Sequence, residues 1–162
     1  MQDAIHVRPA TVADLPVLRR FEQGVIAAER PFDPTLKGDP VLYYDLEEML
    51  DNNDVALLVA ESETGLVGAG YARLLQAKPM YAYKHYAYLG FMYVEPHFRG
   101  QGINQKIMNA LRKWVIAKGV TELRLEVYVG NERAIRAYEK IGFSKLLVEM
   151  RWPPDAMPDN KS

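Results

Sequence analysis

Arg99, Gly100, Gln101, Gly102, Ile103 and Asn104 follow a strand-like run and open a helix-like one. The chemistry available to that spacing is anion binding. Glycines let the main chain approach a ligand closely, and the first N–H groups of a helix point outward without intrahelical partners. Those donors and the positive helix end attract a phosphate or diphosphate. Arg99 adds a charge-assisted donor. A P-loop is ruled out, because no Gly-Lys-Ser or Gly-Lys-Thr ending follows. A dinucleotide fingerprint is ruled out as well, because Gln105 stands where its third glycine would fall. A plain glycine turn joining strand to helix remains the competing reading of these six residues.

Three further polar residues lie downstream. Asn131 precedes a helical run and suits an N-cap. Tyr138 shares a helical face with Ile135 and Ile141, so periodicity alone makes it a core tyrosine with its hydroxyl at a polar edge. Glu126 sits on the polar face of an alternating strand, where an ion pair with Arg124 would be an ordinary use.

These residues need elements to position them. Residues 5–8 alternate as a first strand, and Thr11 with Asp14 reads as a helix start. Leu15, Leu18, Phe21, Val25 and Ile26 form one helical stripe. Residues 41–50 read as a second helix. Residues 55–60 and 66–75 read as two strands joined by a hairpin turn at Thr64 and Gly65. Residues 86–94 form another strand, ended by Pro96. Ile103, Ile107, Met108, Leu111, Trp114 and Val115 recur at helical spacing, and Gly119 stops that helix. Residues 123–129 alternate as a strand, a helix follows Asn131 up to Gly142, and residues 143–152 read as a last strand. The strand near residue 90, the helix after Gly102 and the strand near residue 125 make one crossover with parallel strands. The expected fold is α/β: a mixed, mostly antiparallel sheet of six to seven strands with helices on both faces. Residues 1–152 read as one domain and residues 153–162, with three prolines, as a frayed tail.

Composition narrows the function. A chain of 162 residues is long enough for one substantial core, and 49% hydrophobic with 25% charged residues is ordinary for a soluble protein. A net charge of -1 argues against nucleic acid as the main partner. There is no cysteine, so no disulfide, thiolate metal site or cysteine nucleophile is available. That composition is compatible with the cytoplasm. His6, His85 and His97 show no ligand spacing, and no metal is expected. No signal peptide and no membrane-spanning run is seen.

The pattern resembles the GNAT acetyltransferases. Arg99, Gly102 and Asn104 fall on the family's phosphate-turn positions, with Asn104 departing from the small residue usual at the last. The lead-in Tyr93-Val94-Glu95-Pro96-His97-Phe98 is similar to the family's strand end. A second match runs through Leu125-Glu126-Val127, Asn131, Ala134, Tyr138-Glu139-Lys140 and Gly142-Phe143. The two stretches occur in the expected order, and the N-terminal third matches only in outline.

The resemblance implies acetyl-CoA as cosubstrate and direct acetyl transfer to an amine. The backbone of Met92, Tyr93 and Val94 would pair with the pantetheine arm. Arg99, Gly100, Gln101, Gly102, Ile103, Asn104 and Gln105 would hold the diphosphate. Asn131 would bond the pantetheine amide, Tyr138 would act as general acid, and Glu126 as general base. The residues leave alternatives: neighbouring-strand pairing for 92–94, the helix cap for Asn131, core packing for Tyr138 and the surface ion pair for Glu126. Tyr81, Tyr83, Tyr86, Tyr88 and Tyr93 admit an acceptor-pocket lining, a homodimer contact or plain strand packing. Arg30, Phe32 and Asp33 form a second acceptor-side candidate by family position. A coenzyme A-binding sensor without catalysis is the competing function.

Overall fold

A computed structural model describes residues 4–152. Its chain falls into two compact units, residues 1–131 and 132–162. The first carries a sheet of five strands in sequential order: β1 (His6–Pro9), β2 (Val55–Ser62), β3 (Gly65–Gln76), β4 (His85–Val94) and β5 (Leu123–Leu125). β1 to β4 pair antiparallel, and β4 pairs parallel with β5. The α3 helix (Ile103–Ala117) makes the crossover between those two, as the alternation of strand and helix periods predicts.

Alternate strand residues supply two cores. Val55, Leu57, Val59, Ala69, Tyr71 and Phe91 pack with Leu18 and Phe21 of α1 (Leu15–Glu29) and with Leu46 and Met49 of α2 (Leu46–Asp51). On the opposite face lie Ile103, Ile107, Met108, Leu111 and Val115 of α3, all buried. Gly119 ends α3 at φ 77°, with the Val120 amide returning to the Val115 carbonyl at 3.2 Å. At the other sheet edge, Arg8 joins Asp14 at the start of α1 and Glu61 on β2, at 2.8 and 2.9 Å.

The second unit contains α4 (Glu132–Ile141). Gly142 terminates it at φ 123°: its amide donates to the Glu139 carbonyl and the Phe143 amide to the Tyr138 carbonyl, both at 3.1 Å. The Tyr138 and Phe143 rings meet edge to face at 6.0 Å, the apolar contact that accompanies this helix stop.

Four expectations are corrected. The sheet has five strands among the described residues, not six to seven. Residues 143–152 form no strand, since alternation makes a strand only where a hydrogen-bonded neighbour completes it. β5 stops at Leu125 rather than residue 129, because the next residues turn toward the α1 side, where Tyr128 bonds Asp33. The second helix begins at Leu46 rather than residue 41. Asp45 caps it by accepting the Glu48 amide, while the Tyr43 and Tyr44 amides are taken by Glu22. The expected tail, 153–162, lies outside the described residues.

Candidate active site

The glycine turn has the geometry that anion binding requires. Gly100 and Gly102 sit at φ 78° and 79°, conformations that L side chains rarely adopt. A Cβ built on either meets nothing within 4 Å, so the space in front of the turn is open. Helical bonding begins with the Lys106 amide donating to the Gly102 carbonyl at 3.1 Å. The amides of Ile103, Asn104 and Gln105 therefore stand in the donor-rich first turn. Ile103 buries its side chain in the α3 core and leaves only its backbone for the turn, while Gln105 is exposed. A coenzyme diphosphate fits this cradle of open space and helix-start donors. Arg99 is exposed, but its Nε donates to the Val94 carbonyl at 3.0 Å. It thereby ties the turn to the end of β4. Gln101 is tied back to the His97 carbonyl in the same way, at 3.3 Å.

The adjoining half of β4 is irregular. Tyr71 pairs with Gly90 and Ala69 with Tyr93, so Phe91 and Met92 together oppose the single residue Gly70. That is a β-bulge, and Phe91 carries the strained φ of 55° that goes with it. A bulge bends its strand and ends regular pairing. The parallel ladder accordingly stops at Leu89 and Leu125, whereas β4 runs on to Val94. Among the described residues no strand pairs with the β5-side edge of residues 92–94. Their side chains do structural work: the Tyr93 ring packs tilted against Phe21 at 4.7 Å, and the Met92 sulfur lies 2.7 Å from where a Gly70 Cβ would stand. The Val94 carbonyl is already engaged by Arg99.

On the α1 face, beside the bulge, aromatic rings form a continuous wall. Tyr44 lies 4.6 Å from Phe91 and 5.8 Å from Tyr71, and Tyr71 lies 6.3 Å from Tyr88. The Tyr88 hydroxyl donates to Glu126 Oε2 at 3.3 Å. Burial first, then the Glu126 charge, pushes the Tyr88 hydroxyl well above the ordinary tyrosine range, so it stays protonated and donating. Glu126 itself is exposed.

Two carboxylates on α1 complete this face, and neither is among the candidates read from the sequence. Glu22 is fully buried and accepts the Tyr43 and Tyr44 amides at 2.9 and 2.7 Å. Arg19 reaches Glu22 Oε1 at 3.3 Å and the Tyr44 carbonyl at 3.0 Å. The pair clamps the two tyrosines in place. Glu29, the last residue of α1, is half-buried and lies on the side of Tyr43. Burial raises its carboxyl above the usual range. A signal for both existed in the sequence: Glu22 and Glu29 continue the stripe of Leu15, Leu18 and Ile26 at helical spacing, where an apolar residue is expected.

The five tyrosines part company. Tyr81, Tyr83 and Tyr86 surround the Arg124 guanidinium at 4.9 to 5.5 Å from their ring centres, and Arg124 also bonds the Tyr83 hydroxyl. Arg124 pairs with Glu122 rather than with Glu126, which removes Arg124 from the alternative ion-pair reading of Glu126. Tyr88 joins the aromatic wall and Tyr93 the α1 core. From the second acceptor-side candidate, Phe32 stacks on Tyr128 at 6.2 Å, and Asp33 accepts the Tyr128 hydroxyl at 3.2 Å. Arg30 instead bonds the Lys37 carbonyl and Asp39. Asn131 donates its amide to the Tyr128 carbonyl at 2.9 Å, immediately before α4. Tyr138 lies on α4 in the second unit, three residues from its end. Among the described residues no three His, Asp or Glu side chains converge as metal ligands, and no helix is long and apolar enough to cross a membrane.

Known proteins match this arrangement. Thialysine N-epsilon-acetyltransferase of Bos taurus is 38% identical over 65 residues, which span 40% of this chain and 38% of the bovine protein. The solved tetramutant of a Bacillus halodurans protein superposes with a TM-score of 0.80 at 25% identity, over 91% of this chain and 99% of that one. A Clostridium acetobutylicum predicted acetyltransferase, solved with acetyl-CoA, gives 0.74 at 21% identity, over 91% and 96% of the two chains. The family model described as Acetyltransferase (GNAT) family matches residues 23–143, from within α1 to just past α4. With that match running through the bulged β4, the glycine turn and α4, the chain belongs to the GNAT acetyltransferase family.

Proposed function

We propose that this protein transfers an acetyl group from acetyl-CoA to a primary amine by direct attack within a ternary complex. The observation that carries the reading is the early end of the β4–β5 ladder at Leu89 and Leu125, next to a β4 that runs on into the open glycine turn. The bovine relative's name specifies an N-epsilon acceptor, and the Clostridium structure holds acetyl-CoA. Both are in line with the proposal, which takes residues 1–152 as one domain.

The chain's residues divide the work as follows. The first-turn amides of α3 and the turn from Gly100 bind the diphosphate. The backbone of residues 92–94 offers extended-chain hydrogen bonds to the pantetheine arm and N–H groups that polarise the thioester carbonyl. Asn131 bonds the pantetheine amide. Bound acetyl-CoA supplies an activated acyl group and a thiolate leaving group. Glu126 accepts the proton that an ammonium must lose before its nitrogen can attack. The nitrogen–carbon bond forms, the carbon–sulfur bond breaks, Tyr138 donates a proton to the departing sulfur, and the second proton shed by the acylated nitrogen returns the tyrosinate to its neutral form. Tyr88 holds Glu126 in place through its 3.3 Å hydrogen bond.

Free-thiol release from acetyl-CoA across a panel of primary amines tests the proposal. Amine-dependent release supports it. Coenzyme A binding with no release for any amine would instead indicate a sensor built on the same fold.

A further inference from the structure

Gly24 lies inside α1, where glycine is among the poorest helix formers, so its place there asks for a packing reason. The Tyr93 ring is that reason. A Cβ built on Gly24 would stand 2.5 Å from Tyr93 Cε2, 3.0 Å from Cζ and 3.1 Å from the hydroxyl oxygen. The outer edge of the ring therefore rests on bare helix backbone. The ring is held on its other sides as well. Its centre lies 4.7 Å from that of Phe21, on the preceding turn of α1, and its hydroxyl donates to Glu95 Oε2 at 3.4 Å. Glu95 is held in turn by Arg20 at 2.9 Å, and its amide donates to the Val67 carbonyl at 2.8 Å.

The backbone of Tyr93 is equally confined. Its carbonyl oxygen lies 2.8 Å from where a Cβ on Gly68 would stand, so β4 approaches β3 there in a way that only glycine admits. Glycines on two different elements thus seat one residue, Gly24 at its ring and Gly68 at its carbonyl. Tyr93 is the middle residue of the 92–94 edge, which no described strand pairs on its β5 side. Peptide groups are planar, so the place of Tyr93 sets both the peptide that joins it to Met92 and the one that joins it to Val94. After the bulge no ladder on that side holds these groups, and the contact with α1 does.

We infer that Gly24 is a positioning residue for acetyl transfer: by admitting the Tyr93 ring to the α1 backbone, it sets where the 92–94 peptide groups meet the thioester arm. The inference rests on the acetyl-transfer reading and adds to it a residue of α1 that acts through Tyr93.

Gly24→Ala is the test. The added methyl has to displace the ring, and the ring has to displace the edge. Thiol release at saturating amine and acetyl-CoA should lose roughly 10- to 100-fold in kcat, the scale of a misplacement of about an ångström. Coenzyme A should bind about tenfold more weakly, the scale of one backbone hydrogen bond. ADP carries the diphosphate without the pantetheine arm, so its Kd should stay within about twofold, as expected for a site independent of the substitution.

Tyr93→Leu removes the ring edge that the methyl would strike. Adding Gly24→Ala to Tyr93→Leu should therefore change kcat and both Kd values no further, which separates the ring contact from any effect of alanine on α1 itself. Where Gly24→Ala does not fold, Tyr93→Leu carries the test alone: it frees the edge, and should lose kcat and coenzyme A affinity while keeping that for ADP. Unchanged kcat in a folded Gly24→Ala protein, equal weakening of coenzyme A and ADP, or a full extra loss in the Tyr93→Leu background overturns the inference. Those results leave amine-dependent thiol release by the wild-type protein intact, so the transfer reading survives them. Failure of the wild-type protein to bind coenzyme A or ADP ends that reading and this inference together.

Discussion

The Tyr88 hydroxyl reaches Glu126 at 3.3 Å and fastens the end of β5 to β4 at the place where the ladder between them gives out. A general base on an exposed stretch needs such a tether to hold one position. Glu126→Gln should therefore lower kcat/KM by roughly 100-fold, within the usual range for acid–base assistance. The loss should be largest at low pH, where more of the amine is protonated and must be deprotonated on the enzyme. Tyr88→Phe should show a milder loss with the same pH trend. Thiol-release rates from pH 6 to 9, near and above the ordinary histidine range and below amine pKa values, check this. An unchanged pH profile in Glu126→Gln removes the base role.

The same tyrosines set an alkaline limit on stability. Burial, as the leading cause, raises the Tyr43, Tyr44, Tyr71 and Tyr88 hydroxyls above the ordinary value of 10.0. The folded protein therefore holds these protons more tightly than the unfolded chain does. Their contribution is intact below pH 10, the unfolded value, and is lost as pH rises beyond it toward the folded values. Tm should be flat between pH 8 and 9.5 as far as tyrosine is concerned, and should fall steeply above about pH 10. Absorbance at 295 nm should show several tyrosines ionising only as the protein unfolds. A full set titrating normally in folded protein would contradict the packing described.

Much of this is legible in the sequence. The β2–β3 hairpin, β4, α3 with its Gly102 start and Gly119 stop, and α4 with its Gly142 stop follow from local rules of periodicity and capping, which act over a few residues. What failed depended on distant partners. Residues 41–45 look helical until Glu22, some 20 positions away, takes the Tyr43 and Tyr44 amides. Residues 126–129 alternate like a strand, yet Tyr128 is drawn to Asp33 and the bulge carries β4 away. The cradle was readable because it is contiguous. The aromatic wall of Tyr44, Tyr71, Phe91 and Tyr88 was not, because its members come from the loop before α2, β3 and β4.

Glu22 gives a direct probe of that long-range assembly. Its carboxylate accepts two backbone amides in a fully buried position. Each buried group left without a partner costs roughly 1–3 kcal/mol, so Glu22→Ala should lower stability by at least ~2 kcal/mol in denaturant unfolding. Glu22→Gln keeps one acceptor oxygen and should be milder.

Tyr138→Phe separates chemistry from binding. The substitution keeps the ring that packs edge-on against Phe143 and removes only the hydroxyl. If that hydroxyl protonates the leaving sulfur, kcat should fall by roughly 10- to 100-fold, toward the lower end of acid–base effects, while the Kd for coenzyme A stays the same. Turnover equal to wild type would assign Tyr138 to packing alone.

Coenzyme A is proposed to sit on residues 100–105 and along the edge of residues 92–94 that no described strand pairs with. Backbone amide resonances recorded while acetyl-CoA is titrated into the protein test it most directly. Saturable shifts should concentrate at Gly100, Gly102, Ile103, Asn104 and Gln105 and at residues 92–94. The α2 and β1 amides should stay still. Binding that leaves those two stretches unshifted, or no binding at millimolar acetyl-CoA by a folded protein, would contradict it.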